Sequence, residues 1–327
     1  MSATTIQDIP AQYIVTPQQF GAKANGVTDD TAAIQQAINT VFERGGGVVF
    51  FPRGVYVLSK PPVTRDIRGN NPNSQIYIPT RENTKVDAAG TAIANPDEHN
   101  NRGGISLVGE CVPISSVAGY AIHTQVPSWV NMVKTAAPPF AGSVIYSTYT
   151  NPDPDNSPTA IIGWSVPTGE QFGFGRGQTE LKNLTIRAHV EKDKRYPTLT
   201  GINAQSARSV VMANVNVDVD QPLTQLVAAP CDVAGIIFPK VNCEMSYFTY
   251  LAVYGFKYGF IFGEHSNGDG LHAYTCTHAF VFSSGGHMIS LGLINAHNCR
   301  HQLSTFAKPV LGHPPRQCLC ENCRCEH

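Results

Sequence analysis

Three stretches near the C-terminal end of the chain repeat one another and restrict the folds open to it. Residues 251–262 read LAVYGFKYGFIF, residues 271–282 read LHAYTCTHAFVF and residues 294–305 read INAHNCRHQLST. Aligned, they give apolar columns Leu251, Leu271, Ile294; Val253, Ala273, Ala296; Phe256, Cys276, Cys299; and Phe260, Phe280, Leu303. Polar or aromatic columns run between them. The early positions of each copy alternate at period two, the signature of a strand, and a unit of about 20–25 residues is too short for a helical repeat. Such a unit cannot bury its apolar face alone, so the spacing predicts strands stacked into a solenoid.

Weaker copies lie upstream. Residues 181–188 (LKNLTIRA) and 212–219 (MANVNVDV) align with an offset that sets Leu184 on Val215, Ile186 on Val217 and Ala188 on Val219. The stretch 65–165 is rich in Asn, Pro and Gly and reads as long side loops with short strands only, such as 104–109 (GISLVG) and 143–148. The expected organisation is an N-terminal arm over 1–19, one strand-solenoid domain over 20–310 with regular units at 180–306, and an irregular Cys-rich tail over 311–327.

Composition narrows the function classes. Charged residues make up 14% of the 327, and the formal charge of -1 with no basic stripe gives no electrostatic footing for nucleic acid. The opening MSATTIQDIP has no charged-then-apolar leader and no long uncharged apolar run follows, so the sequence predicts synthesis in the cytosol and no membrane span. No strand–GxGxxG–helix order calls for a nucleotide or flavin, and no cofactor is expected. Cys276 and Cys299 fall in an inward column and read as reduced core thiols. The tail places Cys318, Cys320, Cys323 and Cys325 in CxCxxCxC with His313 and His327 nearby. Thiolates at that density suit zinc or copper, but four within eight residues leave little chain to wrap one ion, and an atypical terminus is the plainer reading.

Residues 20–59, FGAKANGVTDDTAAIQQAINTVFERGGGVVFFPRGVYVLS, read as a turn at Asn25-Gly26, a helix over about 30–43, a glycine break and two strands. Ile34, Ala37, Ile38, Val41 and Phe42 form one apolar face, and Asp29 or Asp30 is placed to cap the helix. A short amphipathic helix ahead of a strand ladder would cover its open end. The order G-A-x-x-N-G-x-x-D-D-T-x-A-I-x-x-A-I followed by G-G-G-x-V-x-F-P-x-G-x-Y resembles the entry segment of the pectate-lyase-like superfamily of right-handed parallel β-helices. That resemblance implies an all-β, right-handed single-stranded parallel β-helix with an N-terminal capping helix, and a polysaccharide as ligand. Its members include secreted polygalacturonase-like and glucanase-like enzymes, more often monomeric, and phage tailspikes, for which it implies a homotrimer. The polygalacturonase-like motifs N-T-D, D-D, G-H-G and R-x-K have only Asn267-Gly268-Asp269 and Gly286-His287-Met288 as counterparts, so that branch's catalytic residues do not carry over.

Two carboxylate groups are candidates for chemistry. Asp218 and Asp220 alternate with Val217 and Val219, which puts both carboxylates on the non-core face at a backbone spacing near the ~6.5–9.5 Å of inverting glycosidases. The offset to the upstream copy sets Arg187 beside Asp218 and His189 beside Asp220. One reading is an exposed ladder of opposite charges; the other makes Asp218 an ionised base kept so by Arg187, with Asp220 or a nearby Glu as proton holder. Glu264 and Glu244 each lie seven residues before a repeat, and His287 does the same in the third copy. They read either as a catalytic column or as polar turns. Calcium at Asp218 and Asp220 would be a weak site. For sugar binding, Tyr254, Tyr274 and His297 form a column beside His272, Asn295, Lys257 and Arg300, which reads either as a sugar platform or as stacking within the solenoid.

The expected function is therefore polysaccharide binding with hydrolase or lyase activity, in a tailspike-like setting. The alternatives are a non-catalytic virion protein that grips or supports, and a solenoid with a metal-binding tail.

Overall fold

The computed structural model describes residues 13–66, 71–79, 84–86, 92–94, 104–110, 142–153, 159–165, 179–192, 194–207, 209–220, 233–239, 246–263, 265–283, 289–306 and 323–325. These residues are mostly β, and among them are one α-helix, two large parallel sheets and no closed barrel. From Thr179 onward the chain alternates between the sheets. The strands Thr179–Ala188, Val210–Val219, Ser246–Tyr254, Ser266–Tyr274 and Ile294–His297 lie side by side in the first sheet. The segments Thr200–Asn203, Ala234–Ile237, Tyr258–Phe262, His278–Ser283 and His301–Phe306, which follow each in turn, lie side by side in the second.

The register follows the sequence columns. Leu251 pairs with Leu271 and Leu271 with Ile294; Phe260 pairs with Phe280 and Phe280 with Leu303; Leu184 pairs with Val215. In-register parallel pairing stacks like on like, so Phe260 and Phe280 lie 5.4 Å apart between ring centroids and Phe262 and Phe282 5.2 Å apart. Leu303 departs from its column and is 43% exposed; among the described residues His301–Phe306 pairs only with His278–Ser283. The sheets approach closely where second-sheet glycines face first-sheet valines. A Cβ on Gly201 would stand 2.3 Å from Val217 Cγ1, and one on Gly235 2.2 Å from Val253 Cγ1.

The N-terminal helix, Thr31–Glu43, buries Ile34, Ala37, Ile38, Val41 and Phe42 as their spacing requires. Asp30 stands at its N-cap, but the carboxylate does not cap it. The Asp30 oxygens accept the amides of Lys23 at 2.7 Å and Ala24 at 3.0 Å, so this buried acid pins the preceding turn, while Asp29 accepts the Thr31 hydroxyl and the Ser59 amide. Gln35 seals a sheet edge. Its side chain accepts the Tyr77 amide at 2.9 Å and donates to the Tyr77 carbonyl at 3.0 Å, standing where the next strand would pair with Ser74–Pro79, the first strand of the second sheet.

Two further expectations change. The loop-rich stretch contains the six-residue strands Ser74–Pro79 and Ala160–Ser165, whose mutual pairing starts the second sheet. Within the tail expected to be irregular, Cys323–Cys325 pairs in parallel with Ile294–Ala296 and extends the first sheet by one strand. Cys276 and Cys299 are free thiols, the former buried. Among the described residues no helix is long and apolar enough to cross a membrane.

Candidate functional site

The face of the first sheet opposite the core changes character from one end to the other. Alternation places two columns on it. One runs Val55, Val144, Thr185, Asn216, Ala252, His272, Asn295; the other runs Val57, Tyr146, Arg187, Asp218 and continues through Tyr254, Tyr274 and His297. The face is apolar at Val55, Val57 and Val144, which form a small separate cluster against Tyr146, charged in the middle, and aromatic with imidazoles toward Ile294–His297.

The charged centre is buried, whereas the sequence suggested an exposed ladder: Arg187, Asp218 and Asp220 are 2%, 6% and 2% exposed. Arg187 donates from Nε and Nη2 to the two oxygens of Asp218, each at 2.7 Å. Asp220 Oδ2 accepts the Tyr146 hydroxyl at 2.6 Å and His189 Nδ1 at 2.7 Å, and Oδ1 accepts the Val190 amide at 3.0 Å. Next to the ion pair, Thr185 Oγ1 and Asn216 Nδ2 are buried with no hydrogen-bond partner among the described residues.

These contacts set the protonation states. Burial pushes the Asp218 carboxyl above its ordinary value, and the Arg187 guanidinium pulls it only part of the way back. A guanidinium does not lose its proton, so neutralising Asp218 would strand a buried cation and the two remain an ion pair near neutral pH. Burial also pushes Asp220 up, but the bonds from His189, Tyr146 and the Val190 amide outweigh it and hold the carboxyl below the ordinary value. Asp220 is thus the ionised acceptor and not the proton holder expected of it. Burial, then the bond to Asp220, raises the Tyr146 phenol, which keeps its proton.

The histidine is the outlet of this group. An ionised Asp220 on Nδ1 fixes that nitrogen as the donor, so in the neutral ring Nε2 carries the lone pair. The His189 side chain is 29% exposed against 3% for Asp220. His189 is thus more exposed than the acid that supports it, and Tyr146 and the Val190 amide hold that acid in place. Two carboxyl groups poised across a sugar bond are not formed here, since all four oxygens of Asp218 and Asp220 accept protein donors. The same donors, a guanidinium among them, make this a poor calcium site, and among the described residues no cluster of three metal-ligating side chains occurs.

The remaining candidates separate. Glu244, Glu264, His287, Cys318 and Cys320 lie outside the described residues, and Cys323 and Cys325 are described by backbone alone. In the aromatic column, Tyr254 is 8% exposed and belongs to the core cluster, whereas Tyr274 and His297 are half-buried with centroids 6.0 Å apart. His272 stacks 6.2 Å from Tyr274 and its Nδ1 lies 3.2 Å from Asn295 Nδ2. Lys257 and Arg300 stand around the corner, just before the second-sheet strands. Sequence reading passed over Tyr146. The alternation in SVIYS puts it on one face with Val144, but no repeat links that segment to residues 179–188.

Comparison with known proteins now adds to the geometry. Residues 15–96 match the family model described as Rhamnogalacturonase A/epimerase, pectate lyase-like. Its entry segment is pectate-lyase-like. The chain is 52% identical over 42 residues to mannuronan C5-epimerase AlgE5 of Azotobacter vinelandii, covering 13% of this chain and 4% of that protein. It is 27% identical over 198 residues to a protein of Arthroderma benhamiae described as "Probable glucan endo-1,3-beta-glucosidase", covering 52% of this chain and 22% of the other. The chain thus spans less than a quarter of either relative. Among solved structures, DFA-IIIase from Arthrobacter chlorophenolicus A6 aligns with a TM-score of 0.46 at 12% identity over 90% of this chain and 60% of that one. Bacteriophage phi29 gene product 12 aligns with a TM-score of 0.46 at 12% identity over 86% of this chain and 29% of that one.

Proposed function

We propose that this chain winds as a right-handed parallel β-helix and is a polysaccharide-active enzyme in which His189 moves the proton. The observation that carries the reading is the Asp220 carboxylate, held by Tyr146 and the Val190 amide and bound to His189 Nδ1 at 2.7 Å. A base oriented by a fixed carboxylate is what proton abstraction from carbon needs. The pectate-lyase-like entry segment and a relative named for mannuronan epimerisation support a sugar polymer as the substrate.

The chemistry favoured at this place is abstraction next to a sugar carboxylate rather than two-carboxylate hydrolysis. His189 Nε2 takes the proton from the carbon bearing the carboxylate, and the electron pair moves into the carboxyl group as an enolate. Collapse with cleavage of the adjacent glycosidic C–O bond forms a C=C bond, and the departing oxygen takes up a proton. Return of a proton from the opposite face instead inverts that carbon and leaves the polymer uncut. Arg187 is bound at both oxygens of Asp218, so the substrate carboxylate needs another cation.

The test is incubation of the protein with uronan and bacterial acidic and neutral polysaccharides, following reducing ends, absorbance of unsaturated uronate and the NMR spectrum of the polymer. Unsaturated product or an inverted sugar, lost by roughly 10²–10⁴-fold in His189→Gln, supports the reading. Reducing ends without unsaturation, unaffected by His189→Gln, would put hydrolysis elsewhere and refute it.

A second reading has its own support in the half-buried Tyr274–His297 stack, which can hold a sugar without cutting it. On that reading the chain is a virion protein that grips a surface polysaccharide in the manner of a tailspike, as a homotrimer. Retention of a glycan with no product, and a threefold mass by light scattering, would favour it.

A further inference from the structure

Two cysteines face each other where the chain turns from the first sheet toward the second. Tyr274 pairs with His297 before the turn and His278 with His301 after it, which puts Cys276 and Cys299 at the same place in successive passes of the chain. Backbone bonds hold the two passes together there, from the Thr275 amide to the His297 carbonyl at 2.9 Å and from the Arg300 amide to the Cys276 carbonyl at 3.2 Å. Chains bonded in this way lie about 4.8 Å apart, inside the Cα separation of about 4.4–6.8 Å that a disulfide spans. The Cys299 Sγ reaches across to the earlier pass and lies 3.5 Å from the Ala273 carbonyl oxygen, and the two thiols interact with each other. Phe256 fills the same place one pass earlier. Packing at that place is met by an apolar ring and does not call for a pair of thiols.

The two sulfurs differ in a way that orders a reaction. Cys276 is fully buried, and burial raises its thiol well above the ordinary value. Cys299 is half-buried, and the bond from the Cys276 thiol lowers it against the opposing effect of burial. The thiolate is the nucleophile, so Cys299 is both the more reachable and the more reactive of the two.

We propose that Cys276 and Cys299 are a redox pair that a peroxide closes into a disulfide, fastening two successive passes of the chain to each other. The Cys299 thiolate attacks one peroxide oxygen; an S–O bond forms, the O–O bond breaks, and the departing hydroxide takes up a proton as water. Cys276 sulfur then attacks the Cys299 sulfenic acid. The S–S bond forms, the S–O bond breaks, and the oxygen leaves with the Cys276 proton as a second water. Two electrons pass from the sulfurs to the peroxide, and a dithiol returns them. The bridge closes a loop that contains His278–Ser283 and Ile294–His297. Among the described residues, Cys323–Cys325 alone pairs beyond Ile294–His297, and His301–Phe306 has His278–Ser283 as its neighbour. Elements near the end of a ladder open more readily than central ones, and a cross-link restrains the opened chain. Tyr274 and His297 each stand two residues before one of the cysteines, so the bridge also ties together the strands that carry that ring pair. None of this requires chemistry at His189.

The full chain is compared before and after treatment with hydrogen peroxide, alongside a full-length variant carrying Cys318→Ser, Cys320→Ser, Cys323→Ser and Cys325→Ser, in which the tail cannot supply the partner. Digestion without reductant at Phe280 and Phe282 is expected to release Cys276 and Cys299 in one disulfide-linked pair of peptides, which a dithiol separates. The oxidised protein is expected to unfold at a higher urea midpoint than the reduced one, and the rise should vanish in Cys276→Ala and in Cys299→Ser. The second substitution lies at a half-buried position, so the comparison stands even if the first does not fold. Two free thiols after oxidation, or Cys299 joined to another cysteine or carried on to the sulfinic acid with Cys276 still free, overturns the pair. A bridge that leaves the urea midpoint where it was overturns its fastening role.

Discussion

Arg187 and Asp218 stand directly opposite each other on adjacent parallel strands, and the guanidinium holds both carboxylate oxygens at 2.7 Å in a buried site. Removing one partner leaves the other charged and buried. Arg187→Met is therefore expected to lower stability by about 3–5 kcal/mol, and Asp218→Leu by a similar amount. The double variant should regain most of the loss, because the apolar pair needs no desolvation of charge. Urea midpoints across the four proteins read the coupling directly; additive losses would mean that the pair is not the buried unit described.

Asp220 makes a separate, pH-dependent contribution. Although burial pushes its carboxyl up, the bonds from His189, Tyr146 and Val190 hold it below the ordinary value. A carboxyl whose folded pKa lies below its unfolded one favours the folded state above the unfolded pKa. That stability is lost as the pH falls through the folded pKa. The window therefore opens near pH 4 and extends below it. Asp220→Asn should be less stable at neutral pH and show a shallower fall in urea midpoint between pH 4 and pH 2. Parallel profiles for the two proteins would contradict the assignment.

Gln35 is expected to matter more than a polar helix residue usually does. Its amide satisfies both backbone groups of Tyr77 at the start of the second sheet. Gln35→Leu leaves a backbone donor and acceptor unmatched, at roughly 1–3 kcal/mol for each buried group, and uncovers a strand edge able to recruit another chain. A lower melting temperature with increased light scattering at equal concentration is the expected result. Gln35→Glu keeps the acceptor and should fall between.

How much of this was legible depends on the range of the information. The pairing of Leu251, Leu271 and Ile294 could be read because a repeat carries its own register, and Arg187 opposite Asp218 followed from the same arithmetic. The burial of that pair could not. Alternation tells which side of a strand a residue is on, and says nothing about what covers that side. Tyr146 joins the site through a strand from outside the repeats, so no offset pointed to it. Asp30 occupies the N-cap its spacing suggested, yet two nearer amides at Lys23 and Ala24 take its carboxylate, a competition settled in three dimensions. Nothing in the sequence pattern marks the glycines of the second sheet, because what requires them is side chains of the opposite sheet.

That last point has a direct test at Gly235, where a methyl group would stand 2.2 Å from Val253 Cγ1 and 2.8 Å from Cγ2. Both belong to Val253, which is fully buried in the first sheet, so the clash is with packed core and not with a mobile tip. Gly235→Ala should lower stability by about 1–3 kcal/mol, the usual range for overpacking. If glycine is required there because the valine fills its space, Val253→Ala should relieve most of the strain, leaving the Gly259 carbonyl oxygen at 3.0 Å as the next neighbour. The Gly235→Ala, Val253→Ala protein would then be more stable than the sum of the two single losses predicts. The Gly259 position shows the exchange already made: its facing residue is Ala273, whose Cβ would stand 3.2 Å from an added methyl. The Ala279 carbonyl, 2.4 Å from the same point, keeps glycine in place there, so Gly259→Ala should remain costly even though its side-chain neighbour is small. Chemical denaturation of the three single variants and the double separates side-chain crowding at Gly235 from backbone crowding at Gly259. A double variant no more stable than the sum of its single losses would show that Val253 is not what sets the requirement for glycine at position 235.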